Sequence, residues 1–118
     1  MNENTNNACG CIKKQFHVHE FLGSVKIATE NRDAPHNHRF AGVSGEAIDI
    51  GNHQHVHDIQ TRTDFYEDHF HIVSVRTGPA VRVNNRHVHF AAQMTTIVDN
   101  HDHKFMFATL IEDPIGDE

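Results

Sequence analysis

The residues best suited to chemistry in this sequence are histidines, which occur in six His-x-His pairs. An apolar or small residue follows two positions after the second histidine of every pair. Imidazole nitrogen is a good ligand for Zn, Cu, Ni and Fe, so the pairs are candidate metal ligands. The twelve candidate ligands are His17, His19, His36, His38, His55, His57, His69, His71, His87, His89, His101 and His103.

Strand geometry would make each pair useful for binding a metal. Residues two apart in a β-strand point to the same face, so both rings of a pair project together. Two adjacent strands would then supply four imidazoles, which is a tetrahedral zinc shell. The pairs can meet within a repeat, giving up to three such sites, or across repeats, and the sequence allows both. We expect a divalent transition metal, first Zn, with Cu, Ni or Fe as alternatives. The alternative without metal is a set of stacked, mutually hydrogen-bonded imidazoles copied by duplication.

The local patterning that must position these pairs is that of strands. Segments such as "HFHIVSV", "RHVHF" and "HKFMFATLI" are short, alternating and rich in β-branched or aromatic residues, which is typical of strands. Turn sequences such as "VSGE", "TGP" and "VDNHD" separate them. The sequence therefore predicts an all-β fold of about eight or nine strands. A compact barrel or sandwich is the first expectation and a short β-solenoid is the alternative.

The chain also contains an internal repeat. Residues 36–52 align without a gap on 69–85, and residues 55–71 align on 87–103. A period of this kind indicates duplicated structural units. We take residues 16–118 as one β-domain, divided into three repeats with two His-x-His pairs each: 17–54, 55–86 and 87–118. The last repeat lacks the glycine-containing turn and resembles a cap.

Several other residues carry plainer expectations. His53 lies outside the His-x-His register and is predicted to be a loop residue. Gly45 and Gly78 are predicted to occupy turns that need a positive φ. Four acidic residues close to the pairs are candidate hydrogen-bond acceptors for the imidazole nitrogens that do not bind the metal, which would fix the tautomer of each ring: Glu20, Asp58, Asp68 and Asp102. The aromatic residues predicted to form the core are Phe65, Tyr66, Phe70, Phe90, Phe105 and Phe107.

Residues 1–15 read as a flexible polar arm that contains Cys9 and Cys11. These thiols are either reduced groups in a loose tail, or an intermolecular disulfide or metal contact. The net charge of −6 leaves no basic footprint for nucleic acid. The sequence has no apolar run long enough to span a membrane and no signal peptide. We therefore expect no membrane insertion and a cytoplasmic location, or a spore or cell surface if the protein forms filaments.

The quoted motifs resemble those of a known family. "HVHEFLGS", "PHNHRFAGVSGEAI", "HVHDIQTRTDF", "DHFHIVSVRTGPAV" and "DNHDHKFMFATLIE" are similar to the YmaF family of Firmicutes over about residues 16–112. The resemblance supports the repeat and implies a bacterial, spore-forming or anaerobic source. It implies no particular activity. The N-terminal arm lies outside it, and its length and paired cysteines are only loosely similar to the connectors of endospore appendage subunits.

These observations lead to three functional hypotheses. The first is a non-enzymatic, metal-binding structural protein that assembles with copies of itself. The second is a subunit of an extracellular or spore-surface filament, linked through the cysteine arm. The third is a metal-dependent, cupin-like hydrolase or oxygenase, but the glutamate that the first cupin motif places four or five residues after its second histidine is absent at all six pairs. A metal chaperone or store is a related binding function.

Overall fold

The computed structural model describes residues 17–28 and 35–113, and all regular elements in these two ranges are β-strands. The predicted all-β class is therefore confirmed, and the cysteine arm lies outside the described residues. None of the described elements is a helix long and apolar enough to cross a membrane. The strands are β1 (Glu20–Ser24), β2 (Arg39–Val43), β3 (Ile48–Gly51), β4 (Gln54–Val56), β5 (Asp58–Arg62), β6 (Ile72–Arg76), β7 (Val81–Val83), β8 (Arg86–Val88), β9 (Phe90–Met94) and β10 (Lys104–Ala108).

Three antiparallel hairpins of equal length form the body of the protein. They pair β1 with β2, β5 with β6, and β9 with β10, with five residues in each strand and no register shift. Contacts join β2 to β5, β6 to β9 and β10 to β1, so the three hairpins surround a common interior. Two smaller hairpins, β3–β4 and β7–β8, extend from the connections between them.

Of the predicted barrel or sandwich, the described residues form no closed barrel. Each hydrogen-bonded ladder ends after two strands, so the described chain holds five two-stranded sheets and no continuous barrel sheet. Short contacts bridge neighbouring hairpins: Gly45 donates its backbone N–H to Asp58, and Asp64 donates to Arg39. All ladders are antiparallel, which is not the stacked-coil pattern of the β-solenoid alternative. The three hairpins are thus held together more by the packing of their buried side chains than by a shared sheet.

The His-x-His face of each long strand points inward. Along β1, for example, His19, Phe21 and Val25 are all buried, whereas the intervening Leu22 is 56 % exposed. The residue two positions after the second histidine of each pair is a core residue, as the alternation of a strand requires. The core cluster consists of Phe21, Val25, Phe40, Ile59, Val73, Ala91, Phe105 and Phe107.

Only part of the predicted aromatic core is confirmed. Phe105 and Phe107 are buried. The other four aromatic candidates lie on the outward face or in loops and are between 37 % and 64 % exposed: Phe65, Tyr66, Phe70 and Phe90.

Two tight turns deliver histidines to the interior. Glu67 and Asp68 have φ of 55° and 65°, and Asp99 and Asn100 have φ of 52° and 66°. Two consecutive left-handed residues make a type I′ turn, whose twist matches that of the flanking strands. The turns close the bridges Tyr66↔His69 and Val98↔His101. His53 lies in a comparable left-handed turn and is exposed, so the prediction of a loop residue is confirmed.

Gly45 and Gly78 do not serve a positive φ, contrary to the prediction. Among the described glycines only Gly51 has one. The backbone of Gly45 donates to Asp58 and that of Gly78 donates to Phe90, and Leu110 makes the equivalent bond to Glu20. Since a leucine fills the third such position, the contact needs the backbone alone.

Two other glycines make room for aromatic rings in the core. A Cβ on Gly23 would lie 2.8 Å from Cζ of Phe40, and one on Gly42 would lie 2.8 Å from Cζ of Phe21. Phe107 then packs on both rings, at centroid distances of 5.5 Å from Phe21 and 5.2 Å from Phe40. The core is small, so these contacts account for much of its packing.

We predict that Gly23→Ala destabilises the protein by about 1–3 kcal/mol, the usual cost of overpacking a core. Gly45→Ala is the matched control, because its Cβ would come no closer than 3.5 Å to Asp58 O. Urea unfolding of both variants measures the difference. Equal stabilities of the two variants would show that the Phe40 ring moves aside freely.

Candidate metal centres

The histidine pairs meet across the predicted repeats, not within them. In an antiparallel hairpin the starts of the two strands lie at opposite ends. The pairs that precede β1, β5 and β9 therefore gather at one end of the body, and those that precede β2, β6 and β10 gather at the other. The His17 cluster contains His17, His19, His55, His57, His87 and His89. The His36 cluster contains His36, His38, His69, His71, His101 and His103.

In the His17 cluster one ring nitrogen from each of six histidines lies close to a common centre. An outer triad of His17, His55 and His87 forms a nearly equilateral triangle, with Nε2–Nε2 distances of 3.2, 3.1 and 3.2 Å. An inner triad of His19, His57 and His89 lies beneath it, next to the core. Nε2 of His19 is 3.1 Å from that of His87, and Nε2 of His89 is 3.2 Å from that of His55. One ligand atom from each of the six residues lies within 4.8 Å of all the others.

The His36 cluster repeats this arrangement at the opposite end. Nε2 of His69 lies 3.3 Å from that of His36, 3.2 Å from that of His38 and 3.1 Å from that of His101. Five of its residues have ligand atoms within 4.8 Å of one another. The sixth, His101, has its ring 4.8 Å from that of His69 and 4.9 Å from that of His71. All six side chains are buried.

The other ring nitrogen of each inner histidine fixes the tautomer. Nδ1 of His19 bonds to the carbonyl of Leu110, that of His57 to Gly45 and that of His89 to Gly78, at 2.8–2.9 Å. In the His36 cluster the corresponding acceptors are the carbonyls of Asp64, Thr96 and Lys26, at 2.8–3.2 Å. A carbonyl only accepts, so each Nδ1 carries the proton and each Nε2 presents a lone pair to the centre.

Lone pairs that face each other at this distance require something between them. Nε2 of His57, His71 and His103 is buried and makes no hydrogen bond. Where both tautomers place the proton on Nδ1, an Nε2–Nε2 contact contains no hydrogen and is repulsive. Leaving buried polar atoms unsatisfied costs about 1–3 kcal/mol each. A cation at the centre would satisfy all of these nitrogens together.

The number and arrangement of the donors fit an octahedron better than the tetrahedron that the sequence led us to expect. With a metal–nitrogen distance of about 2.1 Å, adjacent donors lie about 3.0 Å apart in an octahedron and about 3.4 Å apart in a tetrahedron. The outer triangle of the His17 cluster, with sides of 3.1–3.2 Å, lies between these two values and is compatible with both geometries. Two staggered triads also supply six donors, whereas a tetrahedral ion would leave two unused.

Burial keeps the imidazoles neutral. Desolvation, followed by repulsion from facing imidazoles, lowers the pKa of His17 to about 4. Desolvation also lowers the pKa of His19, His71 and His89 to about 4, although a backbone carbonyl opposes the shift in each case. The neutral ring is the form that binds metal, so these ligands need not lose a proton first. Desolvation likewise lowers the pKa of His38, His55, His57 and His103.

The carboxylates near the clusters are not those predicted to accept hydrogen bonds from the imidazoles. Asp58 forms an ion pair with Arg76 at 2.7 Å on the outer surface. Other carboxylates approach the rings: Asp64 lies 3.3 Å from Nδ1 of His38, and Glu112 lies 3.4 Å from Nδ1 of His87. The orienting function predicted for acidic side chains is performed mostly by backbone carbonyls, which sequence does not mark.

A second supporting group escaped the sequence analysis. The residue six positions after the second histidine of a pair is a serine or threonine in five of six cases. The hydroxyl of Thr63 accepts the backbone N–H of His71 at 3.0 Å, and that of Thr77 accepts the N–H of His57 at 3.1 Å. Ser44, Thr95 and Thr109 do the same for His19, His103 and His89. The repeated hydroxyl spacing was visible in the sequence and could have found these residues.

The fold and the two clusters define the molecule as a small all-β protein with two six-histidine candidate metal centres. The chain belongs to the YmaF family, because the family model described as "Spore germination protein GerY/YamF" matches residues 14–111. This confirms the resemblance seen in the sequence. Searches among curated proteins and among solved structures found no significant match.

We predict that the metal-free protein becomes less stable as the pH falls from about 6.5 to about 4. In that window the unfolded histidines, with a pKa near 6.5, bind protons that folded His19 and His89 do not bind. The unfolded state then holds more protons, and the free energy of unfolding decreases with decreasing pH. Urea midpoints of chelator-treated protein at several pH values test this. An unchanged or higher midpoint at pH 5 than at pH 7.5 would contradict it.

Proposed function

We propose that the protein is a non-enzymatic structural protein that binds two divalent transition-metal ions, one in each histidine cluster. The observation that carries the proposal is the convergence of Nε2 lone pairs whose tautomer is set by carbonyls behind the rings. An ion would join all three hairpins at each end of the body. Metal ligands in this arrangement stabilise the folded state, because the unfolded chain offers no such site.

A structural function is favoured over catalysis by the number of donors. Catalytic metal sites keep a coordination position open for water or substrate. Six imidazoles around one ion would fill an octahedron and leave none open. The donor set also favours Ni²⁺ or Fe²⁺, ions that imidazole suits and that take six ligands, over the four-coordinate Zn²⁺ of structural sites.

We further propose that the three predicted repeats exist for these centres. Each of the ranges 17–54, 55–86 and 87–118 contains one pair in the His17 cluster and one pair in the His36 cluster. Six pairs would then be needed because two octahedra require twelve nitrogens. The family description names a spore germination protein, and we propose that this chain acts in that setting as a metal-stabilised component.

Metal analysis of untagged protein tests the main proposal. We expect two ions per chain, and with Co²⁺ the weak d–d absorption of an octahedral ion, not the intense bands of a tetrahedral one. Removing the ions should lower the free energy of unfolding by about 4 kcal/mol for each ion, or about 8 kcal/mol for both, when free metal had been a thousandfold above its Kd. His57→Ala should lose one ion, whereas the control His53→Ala, in an exposed turn, should keep both. Protein that binds fewer than two ions at micromolar concentrations would contradict the proposal.

Self-association is a second candidate function, favoured by one observation. The outward faces of two hairpins carry apolar side chains, with Leu22 56 %, Phe90 55 % and Met106 60 % exposed. The outward face of the β5–β6 hairpin instead carries polar residues such as Asp58, Gln60 and Arg76. Large exposed apolar patches mark interaction sites. Copies of the chain would pack through these faces, and oxidation of Cys9 and Cys11 would link them into filaments.

We predict that Met106→Lys shifts the protein toward monomer in size-exclusion chromatography with light scattering. A charge on the contact face would have to be desolvated on association, which is costly. Gln60→Lys on the polar face is the control and should behave as wild type. Runs with and without reductant separate the contribution of the cysteines. A wild-type protein that is monomeric at high concentration in both conditions would overturn the assembly proposal.

A further inference from the structure

The two clusters differ in how far their outer histidines are covered. In the His36 cluster, His36, His69 and His101 are 7 %, 6 % and 3 % exposed. In the His17 cluster the corresponding residues, His17, His55 and His87, are only half-buried, although their inner partners are completely buried. The Nε2–Nε2 distances are similar at both ends, 3.1–3.2 Å in the His17 cluster and 3.1–3.3 Å in the His36 cluster, so the clearest difference between the clusters is solvent access.

Backbone bridges close the His36 cluster. Each of its outer histidines takes part in one: Ala28↔His36, Tyr66↔His69 and Val98↔His101. The tight turns behind two of them fold over the end of the body. Nδ1 of His69 also bonds to the carbonyl of Glu67 at 2.7 Å. Because these three rings are almost fully enclosed, moving one of them away from the centre would disturb the residues packed around it.

Surface cavities reach the His17 cluster. One is lined by His17 and His55 together with Asp49, His53 and Gln54. A second is lined by His55 and His87, together with residues of the β7–β8 hairpin. All three members of the outer triad therefore border a surface cavity. Water or a competing ligand can approach each of these rings without displacing a strand.

His55 and His87 lie in strands β4 and β8. The segments from the two ends of the described chain, which also hold this cluster, lie outside the strands. His17 and His19 precede β1, and Leu110 and Glu112 follow β10. Glu112 accepts the backbone N–H of His87 at 3.0 Å, and Leu110 accepts from Nδ1 of His19. Segments with few backbone ladders open locally at lower free energy than strands do. Release of His17 from the cluster leaves all five ladders intact.

We propose, on the basis of the function proposed above, that the two centres differ in the rate at which their bound metal ion exchanges with solution. The ion in the His36 cluster is retained for the life of the fold. The ion in the His17 cluster exchanges with solution as an outer histidine leaves and returns. The protein would then gain or lose one ion according to the free metal concentration while the other ion keeps it folded.

Metal release from fully loaded protein tests this. Ni²⁺-loaded full-length chain is mixed with excess EDTA, and bound nickel is measured over time after rapid desalting. We expect two phases of equal amplitude, one ion each, with rates at least tenfold apart. A single phase, or two ions released at equal rates, would overturn the exchange proposal and leave the proposed function standing. Protein that holds no nickel before EDTA is added would overturn the proposed function instead.

Variants assign the phases. His55→Ala should remove the fast phase and His69→Ala should remove the slow phase, with folding of each checked by circular dichroism. Glu112→Gln keeps all twelve ligands and weakens the contact to His87, so it should speed the fast phase alone. This variant keeps the test decisive if His69→Ala does not fold. The proposal would be overturned if His55→Ala removed the slow phase and His69→Ala the fast phase. It would also be overturned if Glu112→Gln increased the rate of the slow phase.

Discussion

The structure depends on one hydrogen bond, made at every inner histidine, from Nδ1–H to a backbone carbonyl. The bond decides which ring nitrogen carries the proton and turns the other toward a common centre. At five of the six inner histidines a serine or threonine hydroxyl also accepts the backbone N–H of the histidine. The carbonyl that accepts from Nδ1 belongs to the neighbouring hairpin. The same bond that orients a ring therefore also joins two hairpins, so packing and coordination geometry are set together.

Strand alternation connects the clusters to the core. The inward face of each long strand begins with two histidines, continues with a core residue and in five of six cases ends with a hydroxyl next to the opposite cluster. At β6 these are His71 just before the strand, Val73 within it and Thr77 just after it. The interior is thus layered as histidines, apolar side chains and histidines. Only nine described hydrophobic residues are buried, which is a small core for three hairpins without a shared sheet. Binding energy at the two ends would supply what so small an apolar layer does not.

The sequence was sufficient for whatever depends on local period. Alternation identified the strands and the inward histidine face, and the spacing of the pairs identified every residue of both clusters. It was insufficient for long-range choices. Whether His17 meets His36 or His55 depends on which strand ends lie side by side. That follows from the antiparallel pairing of β1 with β2 and from the packing of this hairpin against the next one. Phe90 was misplaced because its strand carries apolar residues on both faces, and one of these faces is open to solvent. Carbonyl acceptors cannot be read from side chains at all.

The cyclic contact between the first and last hairpins has a consequence for how the chain folds. In a linear array of repeats each unit touches only its neighbours, and the ends can unravel alone. Here His17 lies 3.2 Å from His87, which is 70 residues further along the chain. An ion shared by these residues would act as a cross-link over most of the sequence and would lower the entropy of the unfolded chain in the manner of a long-loop disulfide. None of the three predicted repeats could assemble either centre alone, so folding should be all-or-none and should wait for the last hairpin to be made.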